Sequence, residues 1–196
     1  LLTHTSGLHN FYNFEDDFFM EYYRLTYSKT EFFNRYINMQ PAQKPGAFDY
    51  NNSNYNLLAW IIENLSGLSY EQFLVQNIFT PLGMENSCVD DGEKVLKDGS
   101  FQYLKHFDDY IRCPYYNEKF SIGAGAVVST CDDLYQWYLC LRDRKILSKA
   151  AYEHYFTENL NHYCFGLEHW SVYGTDKYCH GGDHVAIATY MQNFFS

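Results

Sequence analysis

Positive charge is scarce in this 196-residue chain: 14 Lys and Arg stand against 24 Asp and Glu, for a formal net charge of −10. That balance disfavours attraction to nucleic-acid phosphates and to anionic lipid, so no nucleic-acid partner is expected. The chain also lacks an initiating Met, a basic-plus-apolar signal and any apolar run long enough to cross a membrane. No transmembrane segment is expected in these residues, and localisation is not legible from them. The six cysteines, Cys88, Cys113, Cys131, Cys140, Cys164 and Cys179, include no C-x-x-C pair, which removes the basis for a zinc ribbon or a dithiol redox motif. Their apolar settings favour free core thiols over disulfides. The eight histidines carry no H-E-x-x-H motif, so no metal site is expected. The glycine-rich stretch Ser121 to Thr130 has neither G-x-G-x-x-G spacing nor a G-K-[ST] ending, and Ser121 has no G-x-S-x-G setting. A phosphate loop and a nucleophile elbow are thereby set aside, no cofactor is implied, and close backbone packing is the expected role of these glycines.

What the chain has is apolar and aromatic mass. A hydrophobic content of 46%, with 20% aromatics, suffices for the core of one domain or most of one. The opening residues LLTHTSGLHN, Leu1 to Asn10, read as the interior of a domain and not as the start of one.

Periodicity divides the chain into helices first and strands last. Ser28 and Glu31 have capping-box spacing ahead of Phe32, Phe33, Tyr36 and Ile37, predicting a helix to Met39 that the segment Gln40 to Gly46 ends. Tyr55 to Leu65 is nearly apolar all round and predicts a helix buried on several sides, closed by Gly67. Ser69 and Gln72 repeat the capping spacing before a short helix that stops at Pro81. Glu85 to Lys119 reads as loop with short strands. Thr130 with Asp133 opens a further helix whose stripe is Leu134, Trp137, Tyr138 and Leu141, and Ser148 to Phe156 forms another. Strands are expected at Tyr163 to Tyr173, Lys177 to Gly182 and Val185 to Phe195. This order predicts an α/β or α+β domain with no internal repeat and no dividing linker, about 1–160 mainly helical and about 161–196 sheet strands.

Two local constellations suit chemistry. In FDYNNSNY, Phe48 to Tyr55, an extended backbone would turn Tyr50 and Asn52 toward one side, presenting a phenol and an amide to one cleft. A phenol relays a proton when a cation lowers its pKa from about 10, and an amide holds a substrate carbonyl or N–H. The alternative is a plain asparagine-rich turn in a chain with 20 tyrosines. In YCHGGDH, Tyr178 to His184, His180 supplies a hydrogen bond or a proton, while Gly181 and Gly182 let a substrate approach backbone N–H groups. A hairpin turn is the competing reading.

Taken in order, LLTHTSGL, the block from PGAFDYNNSNY to TPLGM, GAGAVVSTCDDLYQW and HGG resemble the serine β-lactamase-related family, which includes class C β-lactamases, D-alanyl-D-alanine carboxypeptidases and related esterases. The resemblance implies a β-lactamase/transpeptidase-like fold, an antiparallel sheet flanked by a helical subdomain, and acyl-enzyme chemistry on a β-lactam, a D-Ala-D-Ala-type peptide or an ester. By position, the family's Y-x-N falls on Tyr50, Asn51 and Asn52, and its H-x-G falls on His180, Gly181 and Gly182. Tyr50 and His180 are then the catalytic candidates. Asn52, Gly182 and the backbone N–H of Asp183 become the substrate-binding ones, with the Asp183 carboxylate turned away from the His180 face.

The family's S-x-x-K nucleophile motif is absent, since no Ser here is followed three residues later by Lys. The resemblance places that motif upstream of LLTHTSGL, so the chain is expected to be an internal fragment, incomplete at both ends, inactive and unstable by itself. The competing expectation is a catalytically silent relative that binds or senses a ligand. His180 stands where many relatives have a lysine; a neutral imidazole, with a reference pKa near 6.5, favours an ester or amide over a carboxylate-bearing β-lactam. Cell-envelope or extracellular location is what the family implies, with a small-molecule or peptide substrate as the partner.

Overall fold

Capping chemistry starts most of the helices where the sequence places them. In a computed structural model, which describes residues 1–12, 28–96, 98–113, 115, 117–184 and 187–195, α1 spans Lys29–Phe32. Ser28 accepts from the Glu31 N–H while the Glu31 carboxylate accepts from the Ser28 N–H, the reciprocal box that the spacing predicts. The chain then loosens into a π-helical turn, Phe33–Ile37, and Phe32 and Tyr36 are buried against Phe11 and Trp60. Helix α2 is Asn52–Ser66, closed by left-handed Gly67. Helix α3, Tyr70–Leu74, opens on the Ser69–Gln72 box and runs through a π turn, Val75–Phe79, into α4, Thr80–Leu82. Helix α5 is Cys131–Arg142 and α6 is Lys149–Tyr155.

The sheets are antiparallel throughout the described residues. Strands β1 (Cys88–Val89) and β4 (Val127–Val128) pair, as do β2 (Tyr103–His106) and β3 (Asp109–Arg112), within the region read as loop with short strands. The main sheet is a meander of β5 (Glu168–Val172), β6 (Thr175–His184) and β7 (Ile187–Phe195). Its first hairpin turns through Tyr173 and Gly174, both at positive φ, which matches the twist of the flanking strands. Val185 and Ala186, expected to begin the last strand, lie outside the described residues. Helices followed by antiparallel strands make this a mixed α+β chain.

Two expectations about burial need correction. The apolar run on α2 is not its inner face: Ile61 is 44% exposed and Leu65 80%, while Ser53, Asn54 and Asn56 are buried beside Leu57 and Ala59. The reason is that the first turns of α2 lie against irregular backbone, whose polar groups demand side-chain partners once water is excluded. The stripe on α5 is also rotated. Leu134 is 39% exposed, and the buried residues are Asp133, Cys140 and Leu141. Asp133 is drawn inward because its carboxylate accepts from the Asn86 N–H at 2.8 Å and the Ser87 hydroxyl at 2.7 Å. All six cysteines carry free thiols, with Cys140, Cys164 and Cys179 buried.

Candidate active site

The site is assembled by a polar seam between the first dozen residues and the start of α2. Ser6 donates to Asn54 Oδ1 at 2.6 Å, and Asn51 Nδ2 donates to the Leu8 carbonyl at 2.6 Å. Ser53 donates to the His9 carbonyl and accepts from the Phe11 N–H, at 2.7 and 2.9 Å. Asn51 also caps α2 through the Ser53 N–H. Farther along α2, Asn56 Oδ1 accepts from the Gly123 N–H at 3.0 Å. Gly123 itself is pressed onto α2: a Cβ there would lie 2.2 Å from the Tyr55 carbonyl oxygen, so the glycines of Ser121 to Thr130 include one required by close packing.

This seam sets Tyr50 and Asn52. His4, in the left-handed region at φ 52°, accepts the Asn51 N–H on Nδ1 at 2.9 Å, and its carbonyl accepts from the Asp49 N–H. The Tyr50 ring thereby lies 4.3 Å from that of His4, centroid to centroid. Tyr50 and Asn52 share the cleft because extended Asn51 joins them, although Asn52 is already the first residue of α2 and not part of an extended run. On the other side, β6 carries His180, whose ring is 6.1 Å from Tyr50. Between these walls is a cleft of about 190 Å³ lined by Tyr50, Asn52, Tyr55, Ala124, Tyr163, Gly166 and His180.

Three of the five residues singled out from sequence, Tyr50, Asn52 and His180, therefore meet at one cleft. Gly182 and Asp183 do not line it. Gly182 follows His180 on the same strand face, and the regular register through Asp183 and Ala188 puts Asp183 on the other face. Asp183 contributes instead, after burial and Glu118, to the raised pKa of Tyr12. Sequence reasoning missed His4, Tyr55 and Tyr163. His4 lies within the LLTHTSGL block, but its burial depends on contacts with distant rings; Tyr163 is one of 20 tyrosines, with nothing local to mark it.

The cleft is lined by aromatic rings, with Tyr50 42% exposed and Tyr163 buried. Burial, helped by His180, lowers the His4 pKa to about 4, so its imidazole is neutral. Burial and then the Glu168 carboxylate raise Tyr50. Burial raises Tyr55 to about 12, and it keeps Tyr163 protonated far above the usual tyrosine range. No Lys or Arg is among the lining residues. Tyr50 at rest is thus a neutral phenol, a proton donor that becomes a base only beside a cation. Among the described residues no group of three His, Cys, Asp or Glu is placed to hold a metal ion, and no helix is long and apolar enough to cross a membrane.

Comparison with known proteins gives matches in family, in sequence and in fold. The beta-lactamase family model matches residues 1–182. The chain is 32% identical over 116 residues to a putative penicillin-binding protein, PbpX, of Bacillus subtilis, covering 59% of this chain and 29% of that protein. It is 25% identical over 154 residues to a D-aminopeptidase of Gluconobacter oxydans, covering 76% of this chain and 29% of that protein. Among solved structures, a D-stereospecific amidohydrolase from Streptomyces superposes with a TM-score of 0.83 at 22% identity, over 97% of this chain and 62% of that one. That likeness establishes a shared fold. The chain spans under a third of the length of these two curated relatives.

Proposed function

The chain belongs to the beta-lactamase family, and on that premise we propose that it forms the substrate-facing part of a serine hydrolase working through an acyl-enzyme. The observation that carries this reading is the convergence of Tyr50, Asn52 and His180 on one cleft, although His180 is remote from the other two in sequence. The 196 residues act as one partial domain, about 1–160 mainly helical and about 161–196 sheet strands. In the complete protein the serine of S-x-x-K attacks the acyl carbon and forms the ester bond. Tyr50, beside the motif's lysine, passes the serine proton to the departing amine or alcohol, and water later cleaves the ester. Asn52 holds the substrate amide and His180 closes the opposite wall.

The substrate is an amide, a short peptide or an ester. Two features support that class: no cation lines the cleft to hold a carboxylate, and the relatives include a D-aminopeptidase and a D-stereospecific amidohydrolase. Cell-envelope or extracellular location accords with the penicillin-binding relatives. These 196 residues contain no S-x-x-K and are inactive in isolation.

The decisive measurement is covalent labelling of the complete protein with a fluorophosphonate and with a fluorescent penicillin. Labelling by either that falls at least about 100-fold in rate in Tyr50→Phe is expected, as befits loss of a proton relay. A complete, folded protein that neither labels nor hydrolyses amides or esters would instead be a silent family member that binds or senses a ligand.

A further inference from the structure

The β2–β3 hairpin departs from the rest of this acidic chain. Its register pairs Tyr103 with Arg112 and Lys105 with Tyr110, and directly opposed residues share a face, so these four side chains form one side of the ribbon. Within that square the tyrosines lie on one diagonal and the cations on the other, each diagonal spanning about 7–8 Å. Phe101 extends the pattern, with the Arg112 guanidinium over its ring at 4.1 Å from the centroid. All five residues are exposed, Tyr103 at 54% and Tyr110 at 67%, which makes a contiguous aromatic patch and not scattered rings.

The charge of this face is as distinctive as its rings. Neither strand places an acid on it, because Asp109 pairs with His106 on the opposite face, beside Leu104 and Ile111. Among the described residues, the Lys and Arg ion pairs occupy Lys29, Lys94, Lys119, Arg142 and Lys145, and they include neither Lys105 nor Arg112. In a chain of net charge −10, the face therefore holds two cations without a carboxylate partner. A guanidinium over a ring also keeps its in-plane N–H donors available to a planar anion.

From this face we infer that the hairpin is a docking surface for an acidic polysaccharide, its tyrosines stacking on sugar rings while Lys105 and Arg112 hold sugar carboxylates. Each half of the pattern selects against another occupant. A neutral glycan leaves the cations unused, and an acidic peptide presents charge without flat faces for the rings. Nucleic acid offers both, but duplex DNA carries a charge every ~1.7 Å, and the acidity of the whole chain opposes such dense charge. Asp108 and Asp109 at the hairpin tip oppose insertion among anionic lipid headgroups. A chain of sugar acids sets its carboxylates a ring apart, as the face sets its cations. This inference rests on the cell-envelope location proposed above and is independent of the acyl-enzyme chemistry.

The test is fluorescence anisotropy of the complete protein with labelled oligogalacturonate, and with dextran oligomers, oligoglutamate and oligothymidylate of similar length. Oligogalacturonate is expected to bind at least about tenfold tighter than the other three, and more weakly as salt is raised. Its affinity should fall at least about tenfold in Tyr103→Ser with Tyr110→Ser, and again in Lys105→Gln with Arg112→Gln, while His106→Ala on the opposite face leaves it unchanged. The replaced side chains are exposed, so the melting temperature should stay the same; if a double variant does not fold, Tyr110→Ser and Lys105→Gln singly decide. The inference is overturned if oligogalacturonate does not bind, if any of the other three binds as well, or if the folded hairpin variants keep wild-type affinity. Fluorophosphonate labelling should be the same in wild type and hairpin variants. A complete protein that binds oligogalacturonate through this face and never labels would sink the hydrolase reading and leave this one standing.

Discussion

The seam around His4 and the corner around His169 use the same side chain in opposite electrostatic settings. His4 is 1% exposed and accepts a backbone N–H on Nδ1, and burial lowers its pKa to about 4. His169 sits on β5 near solvent, with Nδ1 2.8 Å from the Glu158 carboxylate and Nε2 3.1 Å from that of Asp176. Ionised carboxylates only accept, so the two contacts favour the protonated ring, in which both nitrogens donate. Burial by itself would lower the His169 pKa, but the hydrogen bonds to Glu158 and Asp176 outweigh it and hold it above the ordinary value. The inner histidine is therefore a neutral acceptor in a dehydrated network, and the outer one is a charged clamp at the surface. The inner seam, where no water can replace a lost partner, should be far the less tolerant of change.

The sharpest way to break the seam is Gly123→Ala. The new methyl would meet the Tyr55 carbonyl oxygen at 2.2 Å and Ala59 Cβ at 2.7 Å, both fixed to α2, so the loop and helix must separate. A loss of about 4 kcal/mol or more is expected, read as a collapse of the urea midpoint. A change below about 1 kcal/mol would mean that the seam yields easily, and the contrast with the outer corner would fail.

A smaller effect should follow from His4→Asn, which keeps an acceptor and tolerates the left-handed backbone but does not titrate. The folded state refuses a proton that the unfolded His4 accepts below pH about 6.5, so wild-type stability falls as pH drops from there toward about 4. That loss is on the order of 3 kcal/mol. The variant should be less stable at pH 7, from lost ring packing against Tyr50, Tyr55 and Tyr163, yet flatter across the acid window. Urea titrations at several pH values would show this, and an unchanged acid slope would locate the sensitivity elsewhere.

These two regions also differ in how far they could be read from sequence. The capping boxes at Ser28 and Ser69 and the Thr130 cap were legible because cap chemistry is local, settled by residues three positions apart. Tyr50, Asn52 and His180 were reachable through ordered motifs, though nothing local says that α2 and β6 face one cleft. The inner face of α2 was misread because hydrophobicity predicts burial only where the neighbour is apolar. Here the neighbour is loop backbone, so asparagine and serine go inside and Leu65 goes out. Tyr163 and the His169 clamp were invisible for a related reason. Each is defined by partners brought together by the turn between α6 and β5 and by strand pairing, and neither tyrosine nor histidine is unusual in its own sequence window.

The outer corner gives the smallest and most pH-specific prediction, His169→Gln. Because the folded pKa is raised, the clamp contributes its full stability below the unfolded value of about 6.5 and loses it as pH rises through the raised folded value. Glutamine keeps hydrogen-bonding capacity but no charge, and for a pair near solvent the cost is about 0.5–1 kcal/mol. The wild-type advantage in urea midpoint should therefore be clear at pH 6 and nearly gone at pH 9, and salt should shrink it at pH 6. The acidic groups facing the ring are Glu158 and Asp176, and Glu158 also receives His162 at 3.0 Å, so part of the clamp survives the substitution. If the difference between His169 and glutamine proves the same at both pH values, the stacking of His169 on Tyr178 at 4.7 Å is what holds the corner. The outer histidine would then work by packing, as the inner one does, and the electrostatic contrast between the two regions would reduce to one of exposure.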